Sequence, residues 1–157
     1  MQQQIDHVSH LCFIFKPENL SMAVEAFSQA FGIGEWDGPT ELTEHGILLA
    51  QAIPQGVEIL APTRADNIFA DHLRTKGEGF FAMTFGVADV RAAAEQARSR
   101  GVGVYEDCGD PMITGGVWEP DSGAPRPIWG ERFRRYEEAA LKPLCGLNFY
   151  LGQIEPR

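Results

Sequence analysis

The sequence has few cysteines, few basic residues and no long hydrophobic run. Its three cysteines lie far apart and form no CxxC pair, which disfavours a disulfide framework or zinc finger and is typical of reduced thiols. Lysine and arginine total 13 against 22 aspartates and glutamates, for a net charge of −9. Because nucleic-acid binding relies on clustered basic residues, no nucleic-acid partner is predicted. No run approaches the roughly 18 apolar residues of a transmembrane helix, so no membrane partner is predicted either.

The remaining bulk properties are those of a small soluble protein. With 157 residues, of which 44% are hydrophobic and 22% charged, the chain is predicted to form one domain with its own core. The N-terminal stretch MQQQIDHV lacks the basic start and apolar stretch of a secretory signal. Together with the reduced thiols, this composition predicts a cytoplasmic protein.

The first half of the chain has the pattern of a strand, a helix and then further strands. The first strand is predicted over residues 5–15, and the helix LSMAVEAFSQAFG ends at Gly32. A turn-rich stretch, GIGEWDGPTEL, follows the helix. The strands HGILLAQAI and GVEILAP come next in a hairpin-like arrangement, and a short helix is predicted in RADNIFADHLRTKGEG.

The second half repeats this order. It contains the strand GFFAMTFGV, the helix ADVRAAAEQARSRG, the strands GVGVYED and MITGGVWEP, and the closing strand GLNFYLGQI. A Pro- and Gly-rich insertion, EPDSGAPRPIWGE, runs into the Arg-rich stretch WGERFRRYEE. Because acidic residues interleave its arginines, that stretch is predicted to be a helix with a solvated face.

Repetition at half the chain length predicts an α+β fold of two fused βαβββ modules. Module one is predicted over about 4–64, a linker over about 65–78, and module two over about 79–154 with an insertion at about 121–143. The modules are expected to form curved antiparallel sheets around a ligand cavity, with the helices outside. The predicted partner is therefore a small-molecule substrate or ligand.

Particular stretches resemble a known superfamily. IDHV at the start of a strand, a helix ending in FG, and TEHGILLAQAIPQGVEILAP are similar to the first module of the vicinal oxygen chelate superfamily. GEGFFAMTFGVADVRAAAEQARSRGV and GVYEDCGDPMITGGVWEP are similar to its second module. The superfamily includes glyoxalase I, extradiol dioxygenases and bleomycin-resistance proteins. Within it, the sequence pattern is most similar to that of the methylmalonyl-CoA epimerase-like branch. Dimers are common in this superfamily, so the resemblance is compatible with a homodimer.

The resemblance also implies positions for metal ligands. In metal-using members, four side chains hold a divalent ion that polarises vicinal oxygens of the substrate. His7 falls on the first of these positions and Glu58 on the second. The third position holds Ala82, with Phe81 beside it.

The fourth ligand position holds Tyr150, with Asn148 on the same face of its strand. His7 and Glu58 alone would form a partial site, so no cofactor is expected unless waters or substrate complete the coordination of a divalent metal. The epimerase-like branch also uses a carboxylate base in the strand GILLA, where this chain has Leu49. Methylmalonyl-CoA epimerase activity is therefore not expected.

Three functional hypotheses follow from the resemblance. The leading one is an isomerase or lyase that transfers a proton on a small apolar carbonyl compound, with His7 as base, Glu58 as its orienting partner and Tyr150 as oxyanion donor. Phe81, Ala82, Asn148 and Leu49 would line the ligand site in that enzyme.

The second hypothesis is a protein that binds or sequesters a small molecule without turnover. The third is a metal-dependent enzyme in which residues such as Glu106, Asp107 or Glu119 complete the site of His7 and Glu58. His10 points away from His7 on the strand and is expected to pack in the structure, under the helix or between the modules.

Overall fold

A computed structural model describes residues 5–43, 45–105 and 133–156, and the backbone of residues 117–118. The chain divides into two compact units. Residues 10–82 form what we call the first unit, and residues 1–9 with 83–157 form the second unit. Strands and helices occur in both, which confirms the α+β class, whereas the proposed module boundaries remain predictions.

The described residues of the first unit include two α-helices, those of the second unit include one, and both units contain several strands. The elements up to residue 86 are β1 (His7–Ile14), a 3-10 turn (Pro17–Asn19), α1 (Leu20–Phe31), β2 (Asp37–Leu42), β3 (Ile47–Ala52), a 3-10 turn (Ile53–Gln55), β4 (Val57–Pro62), α2 (Ile68–Lys76) and β5 (Gly79–Gly86). Those that follow are α3 (Val90–Ser99), β6 (Val117–Trp118), β7 (Phe133–Ala140) and β8 (Asn148–Pro156). The boundaries between the units fall within β1 and β5.

Local sequence signals begin and end the helices. The side-chain oxygens of Asn67 and Asp89 cap α2 and α3, accepting hydrogen bonds from Ala70 N at 2.8 Å and Ala92 N at 2.9 Å. Gly32 ends α1 with φ of 67°, a left-handed conformation that glycine adopts without steric cost. The predicted end of α1 is therefore confirmed.

The sheet of the first unit has the strand order β2-β3-β4-β1. β3 pairs antiparallel with β2 and with β4, as the predicted hairpin requires, whereas β1 runs parallel to β4. Helix α1 packs against one face of this sheet, where Leu20 and Ala23 are buried against Ile59 and Ala61. Full burial of a large aliphatic side chain contributes about 1.5–3 kcal/mol, so this contact holds α1 on the sheet.

The sheet of the second unit has the order β5-β8-β7-β6. β7 pairs antiparallel with β8 and with β6. Helix α3 covers one face, where Val90 and Ala93 are buried against Ala139 and Leu151. Each unit thus has one sheet face covered by a helix of its own.

Three sequence-based predictions of secondary structure differ from the structure. The first is the strand expected in GVGVYED, of which the described residues 101–105 form only an isolated bridge between Val104 and Leu141. The Arg-rich stretch expected as a helix contains β7 from Phe133 onward, because that segment hydrogen-bonds to strands on both sides and buries Phe133 and Tyr136. Pairing between distant segments overrides local helix preference. The stretch GIGEWDGPTEL, expected as turns, contains β2, which pairs with β3 through an irregular register between Asp37 and Thr40.

Candidate functional site

A row of polar side chains crosses the first unit on the sheet face opposite α1. The strand register places Cys12 of β1 beside Glu58 of β4, and Glu58 beside Gln51 of β3. Side chains of neighbouring strands in register point to the same face, and His10 joins them because it lies two residues before Cys12. Phe13 points the other way and packs with the α1 cluster.

This row is buried and internally hydrogen-bonded. The exposed fractions are 2% for His10, 4% for Gln51 and 6% for Glu58. Gln51 Nε2 donates a hydrogen bond to Glu58 Oε2 at 2.6 Å. Burying a carboxylate costs free energy unless the group is hydrogen-bonded or paired, so such a cluster inside an apolar sheet is typical of a functional site.

Burial also sets the charge of the histidine. Desolvation lowers the pKa of His10 below its usual 6.5, and the negative charge of Glu58 acts in the opposite direction. The imidazole of His10 is therefore uncharged at neutral pH. In that form one ring nitrogen accepts a proton and the other donates a hydrogen bond.

The predicted base, His7, lies in the second unit and is exposed. Its ring occupies the space where a side chain at position 86 would project, because a Cβ built on Gly86 would lie 2.5 Å from His7 Nε2. The backbone N–H of Asp6 donates to the Gly86 carbonyl at 2.9 Å. Its predicted partner, Glu58, belongs to the first unit, so the His7–Glu58 dyad stays a prediction.

The predicted oxyanion donors also lie in the second unit. Tyr150 and Asn148 are half-buried on β8. They alternate with Phe149 and Leu151, which pack toward α3, so they lie on the face opposite α3. The structure brings these two side chains onto one face, as predicted.

The remaining predicted ligand-binding residues are buried. Leu49 lies on β3 on the same face as Gln51. Ala82 is buried on β5, and Phe81 packs against the rings of Phe69 and His72 with centroid distances of 5.3 and 5.0 Å. Phe81 thus contacts α2, and its predicted contact with a ligand remains untested.

Sequence reasoning did not single out His10 and Gln51 as site residues. Alternation of His10 with Cys12 and Ile14 was visible in the sequence, but the parallel register of β1 and β4 was not. Because the sequence does not contain that register, it could not show that His10 and Glu58 lie on the same sheet face. His10 therefore lies on the face opposite α1 rather than under that helix.

A second polar pair lies in the second unit, on the face opposite α3. Thr84 Oγ1 donates a hydrogen bond to Glu138 Oε1 at 3.0 Å. Thr84 is 2% exposed and Glu138 is half-buried. Gly152 pairs with Glu138 in register, and a Cβ there would lie 2.6 Å from Thr84 Cγ2 and 3.7 Å from Glu138 Oε1. Glycine at position 152 therefore leaves room for the side chain of Thr84, whereas Glu138 would be only in ordinary contact with a Cβ there.

The described side chains do not form a complete metal-binding set. Within residues 5–43, 45–105 and 133–156, no group of three or more His, Cys, Asp or Glu residues is arranged to hold a metal ion. His10 and Glu58 would offer two ligands, fewer than the four or more that zinc and the hard divalent ions take. Glu106, Asp107 and Glu119 lie outside the described residues. The steps proposed below use the chain's own side chains.

Among the helices of the described part of the chain, none is both long and apolar enough to cross a membrane.

Comparison with known proteins identifies the fold. No protein-family model and no curated protein matches the chain. A solved structure of methylmalonyl-CoA epimerase in complex with methylmalonyl-CoA and NH4+ matches with a TM-score of 0.68 and 24% identity, over 96% of this chain and 95% of that one.

Two further solved structures match the fold of this chain equally well. A variant of the Streptomyces coelicolor methylmalonyl-CoA epimerase in complex with 2-nitronate-propionyl-CoA matches with a TM-score of 0.67 and 22% identity, over 96% of this chain and 98% of that one. Methylmalonyl-CoA epimerase from Mycobacterium tuberculosis matches with a TM-score of 0.67 and 17% identity, over 100% and 92% of the two chains. The fold of this chain is therefore that of the methylmalonyl-CoA epimerases, the branch that its sequence resembles.

Proposed function

We propose that this protein transfers a proton at a carbon next to a carbonyl group, as an isomerase or a lyase does. The observation that supports the proposal is the buried cluster of His10, Gln51 and Glu58. An uncharged imidazole beside a carboxylate can take up and return a proton near neutral pH, which is what general acid–base catalysis requires.

The proposed step needs only these side chains and the substrate. A nitrogen of His10 accepts the proton, and the electron pair of the broken C–H bond moves toward the carbonyl oxygen to give an enolate. Return of the proton to the other face of that carbon, or to a neighbouring atom, completes the isomerisation. The charge of Glu58 stabilises the transient imidazolium, and Gln51 keeps the carboxylate in place through its hydrogen bond.

The surroundings favour an apolar substrate. Ile14 pairs with Leu60 and Leu60 with Leu49 in register, so these three buried side chains line the same face beside the polar cluster. Apolar walls with a few convergent polar groups are typical of small-molecule sites. We therefore propose a small, largely apolar carbonyl compound as the substrate.

The roles predicted for His7, Tyr150 and Asn148 remain part of the proposal. His7 would be an alternative base, and Tyr150 or Asn148 would donate a hydrogen bond to the enolate oxygen. Turnover that is unaffected by both His7→Ala and Tyr150→Phe would remove these residues from the mechanism.

Methylmalonyl-CoA is bound in one of the similar solved structures, which makes it a natural probe. We expect it to react poorly here. Leu49 occupies the position where the resemblance implies a carboxylate base, and the side chains that would complete the family's metal site are missing from the matching positions.

Deuterium incorporation tests the proposal. The protein is incubated in D2O with methylmalonyl-CoA, 2-methylbutanal or enantiopure 2-methylcyclohexanone, and exchange at the carbon next to the carbonyl is followed by mass spectrometry. We expect exchange into at least one of the two apolar probes, and a loss of about 100-fold or more in His10→Gln, because general acid–base groups contribute about 10²–10⁴.

Glu35→Gln is the matched control, since Glu35 is an exposed carboxylate of the first unit. It should exchange like the wild type. If His10→Gln folds and retains more than a third of the exchange rate, His10 is not the proton-transfer group. Saturable binding of a probe without exchange would favour the sequestering protein instead.

A further inference from the structure

The pairing of β2 with β3 is irregular next to the polar cluster of the first unit. Thr40 of β2 pairs with Leu49 of β3, and Asp37 pairs with Gln51. Between these two pairs β2 contains one residue more than β3, which makes a β-bulge. Bulges redirect side chains and are common next to active sites. A regular register would place Gly38 across from Gln51, whereas the bulge places Asp37 there.

The bulge depends on glycine at position 38. Gly38 has a φ of 102°, a positive value that residues with a Cβ rarely adopt. A Cβ there would also clash with the carbonyl oxygen of Leu49 and lie 2.9 Å from the backbone nitrogen of Thr40. Because both of these atoms belong to the backbone, no side-chain rotation would relieve the clash. Glycine at this position therefore allows the register that places Asp37 beside Gln51.

The register produces one polar row across the four strands of the first unit. Asp37 lies beside Gln51, Gln51 beside Glu58, and Glu58 beside Cys12. Partners in register point to the same face of a sheet, so the half-buried side chain of Asp37 lies on the face that carries His10. Gln51 thus has a carboxylate on each of its two neighbouring strands.

The amide of Gln51 can hydrogen-bond to both carboxylates. It has two N–H groups, and Nε2 donates one of them to Glu58 Oε2 at 2.6 Å. Neighbouring strands lie about 4.8 Å apart, so Asp37 is roughly 10 Å from Glu58, two strands away. At that separation Asp37 acts on Glu58 through the amide between them rather than by direct contact.

We propose that Asp37 is a positioning residue of the proposed site, one that accepts the second N–H of Gln51 and keeps this amide turned toward Glu58. This inference rests on the proposed function. If the amide of Gln51 turned its oxygen toward Glu58, it would repel the carboxylate and leave it without its donor. Asp37 thereby maintains the charge that stabilises the imidazolium of His10, without touching the substrate itself.

A double-mutant cycle tests the inference. The readout is exchange in D2O with 2-methylbutanal or enantiopure 2-methylcyclohexanone, whichever exchanges faster with the wild type. Asp37→Ala should lower kcat about tenfold and leave KM within about threefold, because only the support of the base changes. In a Gln51→Met background, which keeps the side-chain length and removes the amide, the same substitution should change kcat by less than about twofold. Asp37→Asn keeps an acceptor oxygen and loses the charge, so its kcat should fall about threefold.

Glu41→Ala is the matched control, because Glu41 is an exposed carboxylate of β2 that pairs with Leu48 on the face of α1. Its kcat should equal that of the wild type. A wild-type kcat in folded Asp37→Ala, or an equal fall in both backgrounds, overturns the inference while the proposed function stands. If Asp37→Ala does not fold, or Gln51→Met does not exchange, a wild-type kcat in Asp37→Asn overturns it and a lowered kcat supports it. Absence of any wild-type exchange overturns both proposals.

Discussion

His10 shows how one residue acquires chemistry from its surroundings. In an unfolded chain its imidazole would titrate near pH 6.5, but burial on β1 lowers its pKa and keeps it uncharged. Glu58 lies on the adjoining strand β4 and Gln51 on β3 beyond it, so the uncharged ring lies on the same face as polar partners inside an otherwise apolar sheet. The same burial that keeps the ring uncharged, and so able to act as a base, also has a cost, because it lowers the free energy of unfolding at acidic pH.

That cost predicts a pH dependence of stability. Because the pKa of His10 is lower in the folded protein than in the unfolded chain, the unfolded chain binds the proton more tightly. The free energy of unfolding should therefore be highest above about pH 6.5 and decrease as the pH falls below it, by at most about 1.4 kcal/mol per pH unit.

Chemical denaturation at several pH values between 7.5 and 5 measures this effect. His10→Gln, which cannot titrate, should show a smaller decrease than the wild type over that range. The control is Gln29→Ala at an exposed position of α1, which removes no titratable group and should keep the pH dependence of the wild type. Equal pH dependence in the wild type and in His10→Gln would contradict a buried, uncharged His10.

At the scale of elements, strand alternation separates two adjacent acids on β7. Glu137 points to α3 and pairs with Arg91 and Arg135, whereas Glu138 points to the opposite face and meets Thr84. Strand β7 thus attaches α3 through Glu137 and places the next side chain, Glu138, on the opposite face. The period of two along a strand makes such a division possible without any change of backbone.

Removal of the Glu137 carboxylate should weaken the attachment of α3 to the sheet. Glu137→Ala leaves Arg91 and Arg135 without their buried partner, but their side chains are 67% and 30% exposed and can reach water. We therefore expect a loss of about 2 kcal/mol in the free energy of unfolding, below the 3–5 kcal/mol of a fully buried pair. Urea denaturation provides the measurement.

Glu95→Ala is the matched control on the same helix. Glu95 and Arg98 form an exposed pair at 3.0 Å, and such pairs contribute less than about 1 kcal/mol. Should the two variants lose the same stability, the Glu137 ion pairs do not hold α3.

At the scale of the whole molecule, the fold and the set of metal ligands are separate properties. The chain has the fold of methylmalonyl-CoA epimerases, yet its described residues contain no group of three His, Cys, Asp or Glu residues placed for a metal. A fold specifies where a site can lie, whereas the site residues specify what it does.

Metal content can be measured on the purified protein. We expect substantially less than one divalent ion per chain by elemental analysis, and a Tm that is unchanged after dialysis against a chelator, because His10 and Glu58 alone bind weakly. Adding Mg²⁺, Co²⁺ or Zn²⁺ back to the dialysed protein is the control. One tightly held ion per chain, with a Tm that falls on its removal, would favour the metal-dependent enzyme.

The sequence by itself determined the local elements and, through its resemblance, predicted the fold. Helix α1 followed from its apolar periodicity and Gly32, and the β3–β4 hairpin followed from two apolar runs around a short turn. These signals are local, since capping, turn chemistry and periodicity act over a few residues. The likeness of IDHV and GVEILAP to the superfamily led to the fold that the solved structures confirm.

Only the tertiary structure decided which side chains meet. The parallel register of β1 and β4 places His10 on the same sheet face as Glu58. Pairing with β6 and β8 makes residues 133–140 a strand, although the Arg-rich sequence there predicted a helix. Register and strand pairing depend on contacts between segments far apart in the chain, and a shift of one residue reverses every side chain. For that physical reason the sequence could propose His7 as the base, whereas the buried histidine beside a carboxylate, His10, emerged from the packing.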